Sequence, residues 1–177
     1  MVRRLILVLG DQLSAPSRLS SLRDADPDRD VVLMAEVAAE LAYAPHHRQK
    51  VAMVFSAMRQ HADLLTGAGF RVRYVRHDDP ASSGSLPGEI LRTAGDLQPR
   101  EIVMTRSGEW RLERGFDAME LAAPAPVLRR ADDRYLCDLE DFAGWAEGRR
   151  ELRMEFFYRE MRRRYGLLME GREPAGG

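Results

Sequence analysis

The sequence has very little cysteine and, among its basic residues, very little lysine. Cys137 is the only cysteine in 177 residues, so the chain can form no intramolecular disulfide. One thiol by itself also cannot hold zinc or an iron–sulfur cluster. A lone cysteine is typical of proteins in reducing compartments, and we therefore predict a cytoplasmic location. Lys50 is the only lysine, so arginine supplies nearly all of the 27 basic residues.

Strong net charge and long apolar runs are also absent. The chain has 27 basic and 28 acidic residues, which gives a net charge of −1. The chain as a whole should therefore not attract nucleic acid electrostatically. No stretch reaches the roughly 18 apolar residues of a membrane span, so we expect no membrane partner. The apolar run at residues 5–9 has no cleavage site after it, which indicates a buried strand and not a signal peptide.

Several nucleotide-binding and catalytic signatures are missing. The sequence contains no GxGxxG and no GxxxxGK[ST], so neither a dinucleotide site nor a P-loop is supported. It also lacks a GxSxG motif, which leaves little support for a hydrolase.

Short apolar runs alternate with helical patterns along the chain. Unbroken apolar runs suit strands buried on both faces of a parallel sheet. We predict an α/β, Rossmann-like fold, in which a five-stranded parallel sheet carries helices on both faces. The predicted strands cover residues 5–9, 31–35, 70–75, 102–104 and 125–128, and the predicted helices cover residues 47–65, 87–97, 109–121, 139–146 and 151–165.

Ligands of open parallel sheets bind beyond the carboxyl ends of the strands. Residues 10–12, 36–47, 76–79 and 107–110 should lie there. Gly10 would allow close backbone approach to a ligand, and Asp11 and Gln12 would offer an acceptor and an amide. The alternative for Asp11 is a cap on the next short helix.

Charged and titratable residues follow the second predicted strand. Glu36 and Glu40 could form an acid/base pair, or they could only hydrogen-bond a ligand or solvent at a helix end. His46 and His47 are poor metal candidates, because adjacent helical residues point in different directions and no third ligand stands at usable spacing.

The stretch at residues 149–164 is rich in arginine and aromatic residues. The spacing of Met154, Phe157 and Met161 predicts a packed helix face that docks on another domain, and a phosphate contact is the alternative. A glycine- and proline-rich tail follows at residues 170–177, and its composition predicts a linker or an unpacked terminus.

Five segments resemble one protein family. They are LVLGDQL at residues 7–13, EVAAELAYAPHHRQK at 36–50, FSAM at 55–58, GEWR at 108–111 and RMEFFYREMRRRYGLLM at 153–169. In this order they resemble the bacterial photolyase-related proteins, which are the iron–sulfur photolyases and cryptochromes, including (6-4) photolyases.

The resemblance implies a bipartite protein. The N-terminal Rossmann-like domain of this family holds a 6,7-dimethyl-8-ribityllumazine antenna between the first loop and the helix after strand two. A larger helical C-terminal domain holds FAD and a four-cysteine [4Fe–4S] cluster and binds damaged DNA. Matched residue by residue, the implied antenna contacts are Gly10, Asp11, Glu36, Glu40, Tyr43 and Val54.

The chain departs from the family in length. It stops before the FAD and iron–sulfur domain, which the same gene or a separate chain would supply. We expect residues 1–147 to form the antenna domain and residues 148–177 to form a basic interdomain helix and linker, truncated there. Cys137 would not be a cluster remnant, because it lies in the wrong domain.

The implied role is antenna-chromophore binding for light-dependent DNA repair or blue-light sensing. The family is a DNA lyase, but this chain without the FAD domain would not be catalytic alone, and damaged DNA would bind only to the full-length protein. Two alternatives are a docking domain without chromophore and a generic Rossmann-like nucleotide-binding module.

Overall fold

The structure is a computed structural model that describes residues 1–175. Its main sheet has five strands, all parallel, in the order β3-β2-β1-β4-β5. The chain reverses its direction of sheet growth between β1 and β4, which makes that crevice the topological switch point. The predicted five-stranded parallel sheet is thus confirmed. The strands are β1 (Arg4–Leu7), β2 (Val31–Ala35), β3 (Arg71–Val75), β4 (Glu101–Thr105) and β5 (Val127–Arg130).

Six α-helices lie within the described residues. All five predicted helices are present, with ends that differ by up to three residues. One short helix, α1, was not predicted, because five residues are too few to display a helical period. The helices are α1 (Ala38–Ala42), α2 (Arg48–Gly67), α3 (Leu86–Leu97), α4 (Trp110–Glu120), α5 (Leu139–Ala146) and α6 (Met154–Tyr165).

The sheet is covered by helices on both faces, as predicted. Successive side chains of a strand point to opposite faces, and β1 shows this directly. Leu5 and Leu7 pack with Ile90 of α3 and Phe116 of α4 in one apolar cluster. Ile6 belongs to the opposite cluster, which includes Met58, Ala62 and Leu65 of α2. Continuous apolar strands are therefore buried on both sides.

The described chain divides into two compact units, Met1–Asp132 and a second that begins at Asp133. The first contains the five-stranded sheet and helices α1 to α4, and the second contains α5 and α6. The predicted domain limit at residue 147 falls inside the second unit. Among residues 1–175, no helix has both the length and the apolar character needed to cross a bilayer.

The C-terminal tail has more structure than the linker that we predicted. Met169–Glu170 (β6) pairs antiparallel with Glu173–Pro174 (β7). Gly171 has φ +63°, a conformation that glycine adopts without steric cost and that permits the tight turn. Residues 176–177 lie outside the described part of the chain.

Candidate functional site

A cavity of about 240 Å³ opens at the carboxyl edge of the main sheet. Its walls come from the ends of β1 and β2, from α1, from the first half of α2 and from the start of α4, all within the first unit. The six residues that the resemblance implied, Gly10, Asp11, Glu36, Glu40, Tyr43 and Val54, all line it. The other lining residues are Leu9, Ala35, Val37, Leu41, His46, Lys50, Val51, Phe55, Met58, Leu86, Glu109 and Leu112.

Gly10 brings the first loop close to helix α2. A Cβ atom at this position would lie 3.1 Å from Met58 Sδ and 3.5 Å from Val54 Cγ1. Gly10 is not among the positive-φ glycines, so space, and not backbone conformation, requires glycine here. The missing side chain keeps this end of the cavity open.

Glu36 is fully engaged by protein donors. Its Oε1 accepts hydrogen bonds from Arg59 Nε at 2.6 Å and from the Tyr74 hydroxyl at 2.6 Å. Its Oε2 accepts from Arg59 Nη2 at 2.8 Å and from the His77 backbone N–H at 3.0 Å. Burial raises the pKa of the Glu36 carboxyl, but these four hydrogen bonds outweigh it and bring the pKa below its ordinary value.

This arrangement favours a structural role for Glu36 over proton transfer. Four donors occupy the acceptor positions of the carboxylate, and the lowered pKa keeps it ionised at neutral pH. The same four bonds join the end of β2 to α2, to β3 and to the loop after β3. Glu36 therefore shapes the wall of the cavity.

Glu40 and Tyr43 meet at the mouth of the cavity through Arg111. Arg111 donates to the two carboxylate oxygens of Glu40 at 2.9 and 2.7 Å and to Glu109 at 3.0 Å. Its guanidinium carbon lies 4.1 Å from the centroid of the Tyr43 ring. Helix α1 and the start of α4 are thereby joined across the mouth.

Gln12 fills the crevice between β1 and β4. Its side chain donates to the carbonyl oxygens of Thr105 at 3.2 Å and Arg106 at 3.4 Å and accepts from Leu9 N–H at 3.3 Å. The residue is 1% exposed. From the sequence we considered the Gln12 amide as a ligand contact, but the amide instead bonds to the protein backbone. These bonds hold the first loop at the switch point.

Asp11 lies in the cavity wall and does not cap the next helical turn. That turn, Pro16–Arg18, is preceded by Ala15 and has no side-chain cap. The capping alternative for Asp11 is therefore wrong, and the residue lines the cavity.

Sequence reasoning missed several apolar lining residues on α2. Val51, Phe55 and Met58 line the cavity with Val54, and their spacing of three and four residues marks one face of a helix. The resemblance had singled out only Val54 on this face. Only its later part, from Met58 onwards, is buried, while the earlier part forms a wall.

The remaining predicted positions play other roles. His47 caps α2, since its Nδ1 accepts from the Gln49 N–H at 3.2 Å. Residues 76–79 do not line the cavity, although the N–H of His77 supports Glu36. Within residues 1–175, no group of three or more His, Cys, Asp or Glu side chains is arranged to hold a metal ion.

Four of the nine arginines between residues 133 and 175 form ion pairs with carboxylates. Arg149 pairs with Glu160 and Arg164 pairs with Asp141, and the pairs Arg153–Glu151 and Arg159–Glu155 are also formed. These pairs neutralise much of the positive charge that a phosphate contact would need. Of the predicted docking face, Met154 is 69% exposed, but Phe157 and Met161 are half-buried, and the Phe157 ring packs on the rings of Phe142 and Trp145. Phe156, which is not part of that predicted face, is 44% exposed.

Comparisons with known proteins agree with the resemblance seen in the sequence. Residues 6–177 match the family described as deoxyribodipyrimidine photo-lyase-related protein. The chain is 47% identical over 174 residues to a (6-4) photolyase of Agrobacterium fabrum. The match covers 98% of this chain and 34% of that protein, so the chain spans about a third of the length of this relative. The chain therefore belongs to the family of deoxyribodipyrimidine photo-lyase-related proteins.

Proposed function

We propose that the chain is an antenna-chromophore domain that holds 6,7-dimethyl-8-ribityllumazine in the cavity at the carboxyl edge of the sheet. One observation carries the proposal: the six residues implied by the family resemblance line a single cavity. The bound chromophore would absorb near-ultraviolet to blue light and pass its excitation to a flavin. Family membership associates this role with light-dependent DNA repair or light sensing, and the domain would not be catalytic alone.

The chemistry of the cavity suits a flat ring with a polar edge and a polyol chain. Such ligands need apolar walls and a few placed polar groups. Val54, Phe55 and Met58 supply the apolar wall. Glu40 and Tyr43 would hydrogen-bond the ring edge or the ribityl hydroxyls. Gly10 leaves space for the ring, because no side chain projects from it.

A generic nucleotide-binding module is the weaker reading. The chain has no glycine-rich phosphate loop, and Gln12 occupies the crevice where nucleotides bind in Rossmann-like sheets.

Titration of the lumazine into the 177-residue chain tests the proposal. Val54→Trp should abolish binding, because a large ring would fill the cavity and packed side chains cannot yield cheaply. Met53→Trp is a matched control on the same helix, since Met53 is 65% exposed and does not line the cavity. Circular dichroism checks that both variants fold. Binding by wild type and Met53→Trp with none by Val54→Trp would support the site.

Two outcomes would contradict this proposal. Equal affinity in a folded Val54→Trp variant would locate the ligand elsewhere. Failure of the wild type to bind would contradict the proposal that this chain holds the lumazine by itself. A docking domain without chromophore would then be the better description.

We further propose that the second unit packs against the part of a longer protein that this chain does not cover. The exposed apolar side chains of residues 133–175 support this, because such surfaces mark interaction sites. They include Leu136, Leu139, Leu152, Met154, Phe156 and Leu168. FAD, the [4Fe–4S] cluster and contact with damaged DNA would belong to that partner region. The lone cysteine leads us to propose a cytoplasmic location for the assembly.

Mixing experiments can test this docking. The remaining two thirds of the Agrobacterium fabrum relative, produced alone, should co-elute with the 177-residue chain in gel filtration. Phe156→Asp should weaken the association, because it places a charge among the exposed apolar side chains named above. Arg162→Asp, a charge change on the same helix about 120° around the axis from Phe156, is the control. Equal association of wild type and Phe156→Asp would exclude this face.

A further inference from the structure

Arg111 does not line the cavity, but it contacts three residues that do. It forms two hydrogen bonds with Glu40, one with Glu109 and a stacking contact with the ring of Tyr43. Glu40 and Tyr43 come from α1 and the residue after it, whereas Glu109 and Arg111 come from the start of α4. One side chain thus bridges the two sides of the mouth.

We propose that Arg111 is a positioning residue that closes the mouth of the cavity and sets the rate at which a bound chromophore leaves. The inference rests on the proposed function, because it concerns the same cavity. Arg111 would hold Glu40 and Tyr43 where they meet the ligand. Ligand release would then require the Arg111 contacts to break.

Helix α1 depends on such contacts for its position. It has five residues and no side-chain cap at its N-terminus, and a helix this short is unstable by itself. One backbone hydrogen bond ties it to the loop before α3, from Ala39 N–H to Gly84 O at 2.9 Å. The ion pair of Glu40 with Arg111 ties it to α4 on the other side.

The chemistry of the contact requires arginine. The planar guanidinium gives two parallel hydrogen bonds to a carboxylate and stacks on an aromatic ring at the same time, which an ammonium group cannot do. The side chains of Arg111 and Glu40 are 39% and 27% exposed. Salt therefore reaches this ion pair and should weaken it.

Stopped-flow measurement of lumazine dissociation tests the proposal. Arg111→Gln should release the ligand about tenfold faster, given the usual strengths of cation–π and charge-assisted contacts, and binding should not become slower. Arg111→Lys should behave more like Arg111→Gln than like wild type. Arg114→Gln, on the same helix and outside the cavity lining, is the matched control and should release the ligand at the wild-type rate.

Ionic strength provides a readout that a merely structural role would not change. Raising the salt from about 0.1 to about 1 M shortens the screening length from roughly 10 to roughly 3 Å. Release should accelerate in wild type and Arg114→Gln, and it should stay constant in Arg111→Gln. If Arg111→Gln does not fold, the salt series on wild type still decides, since salt-independent release would overturn the inference.

The possible failures can be told apart. If wild type binds the lumazine but Arg111→Gln releases it at the wild-type rate, the positioning role is wrong and the antenna proposal stands. If wild type binds no lumazine, the antenna proposal and the role of Arg111 fall together.

Discussion

Arg59 and Glu36 form a two-point ion pair behind the cavity wall. Arg59 Nε lies 2.6 Å from Glu36 Oε1, and Arg59 Nη2 lies 2.8 Å from Glu36 Oε2. The Glu36 side chain is 0% exposed and that of Arg59 is 40% exposed. The two partners differ in their access to water. The Glu36 carboxylate is shielded from water and depends on protein donors, whereas the Arg59 guanidinium can also be hydrated.

Loss of the arginine should therefore be costly. We expect Arg59→Met to lower the free energy of unfolding at neutral pH, since it leaves the buried Glu36 carboxylate incompletely compensated. Urea unfolding measures this. Arg48→Met, at the exposed start of the same helix, should change it by less than about 0.5 kcal/mol.

The cost should depend on pH in a defined direction. The pKa of Glu36 is lower in the folded chain than in the unfolded chain, so its stabilisation is present above about pH 4.3 and is lost as the pH falls through the folded pKa. The difference between wild type and Arg59→Met should therefore shrink in acid. An equal difference at neutral pH and in acid would show that packing, and not charge, causes the effect.

Gly10→Ala should narrow the cavity. Its Cβ would approach Met58 Sδ to 3.1 Å, so Met58 or the loop must shift, at a cost of about 1 kcal/mol. We expect weaker lumazine binding and slightly lower stability, measured by titration and thermal unfolding. Gly95→Ala in α3 is the control, because its Cβ would meet no atom within 4 Å. It should gain up to about 1 kcal/mol of stability and should bind normally.

His61 should make the first unit sensitive to mild acid. The residue is 7% exposed, and its Nε2 has no hydrogen-bond partner among the described residues. Burial lowers the pKa of the imidazole below its ordinary value. The unfolded chain therefore takes up a proton first, and stability should fall as the pH drops below about 6.5 towards the folded pKa.

A non-titrating side chain of similar size isolates this effect. His61→Met should flatten the loss of stability between about pH 6.5 and 5, a range chosen around the ordinary pKa of histidine. A wild-type profile in His61→Met would assign the acid sensitivity to other groups.

Gln12→Met should destabilise the first loop without changing the volume of the residue much. The variant leaves the buried Leu9 N–H and two carbonyl oxygens without the side-chain partner that they have now. We expect a loss of about 2 kcal/mol, measured by urea unfolding. Gln49→Met, on the exposed surface of α2, should be close to neutral. Unchanged stability in Gln12→Met would indicate that water replaces the amide.

The sequence by itself determined the sheet and its two covered faces. Runs such as residues 31–35 have no polar face, so only a strand covered on both sides could bury them. The 3.6-residue period of α2 then determined which face of this helix turns towards the sheet and the cavity. These patterns depend on neighbouring residues in the chain, and they can be read without knowledge of the fold.

The use of each polar group in the cavity was decided by the tertiary structure. Glu36 and Glu40 looked alike in the sequence, yet one is saturated by Arg59, Tyr74 and His77 and the other meets Arg111. These partners stand between 23 and 71 residues away along the chain. No local pattern encodes such distant pairs, because the packing of α2 and α4 on opposite faces of the sheet brings them to one edge.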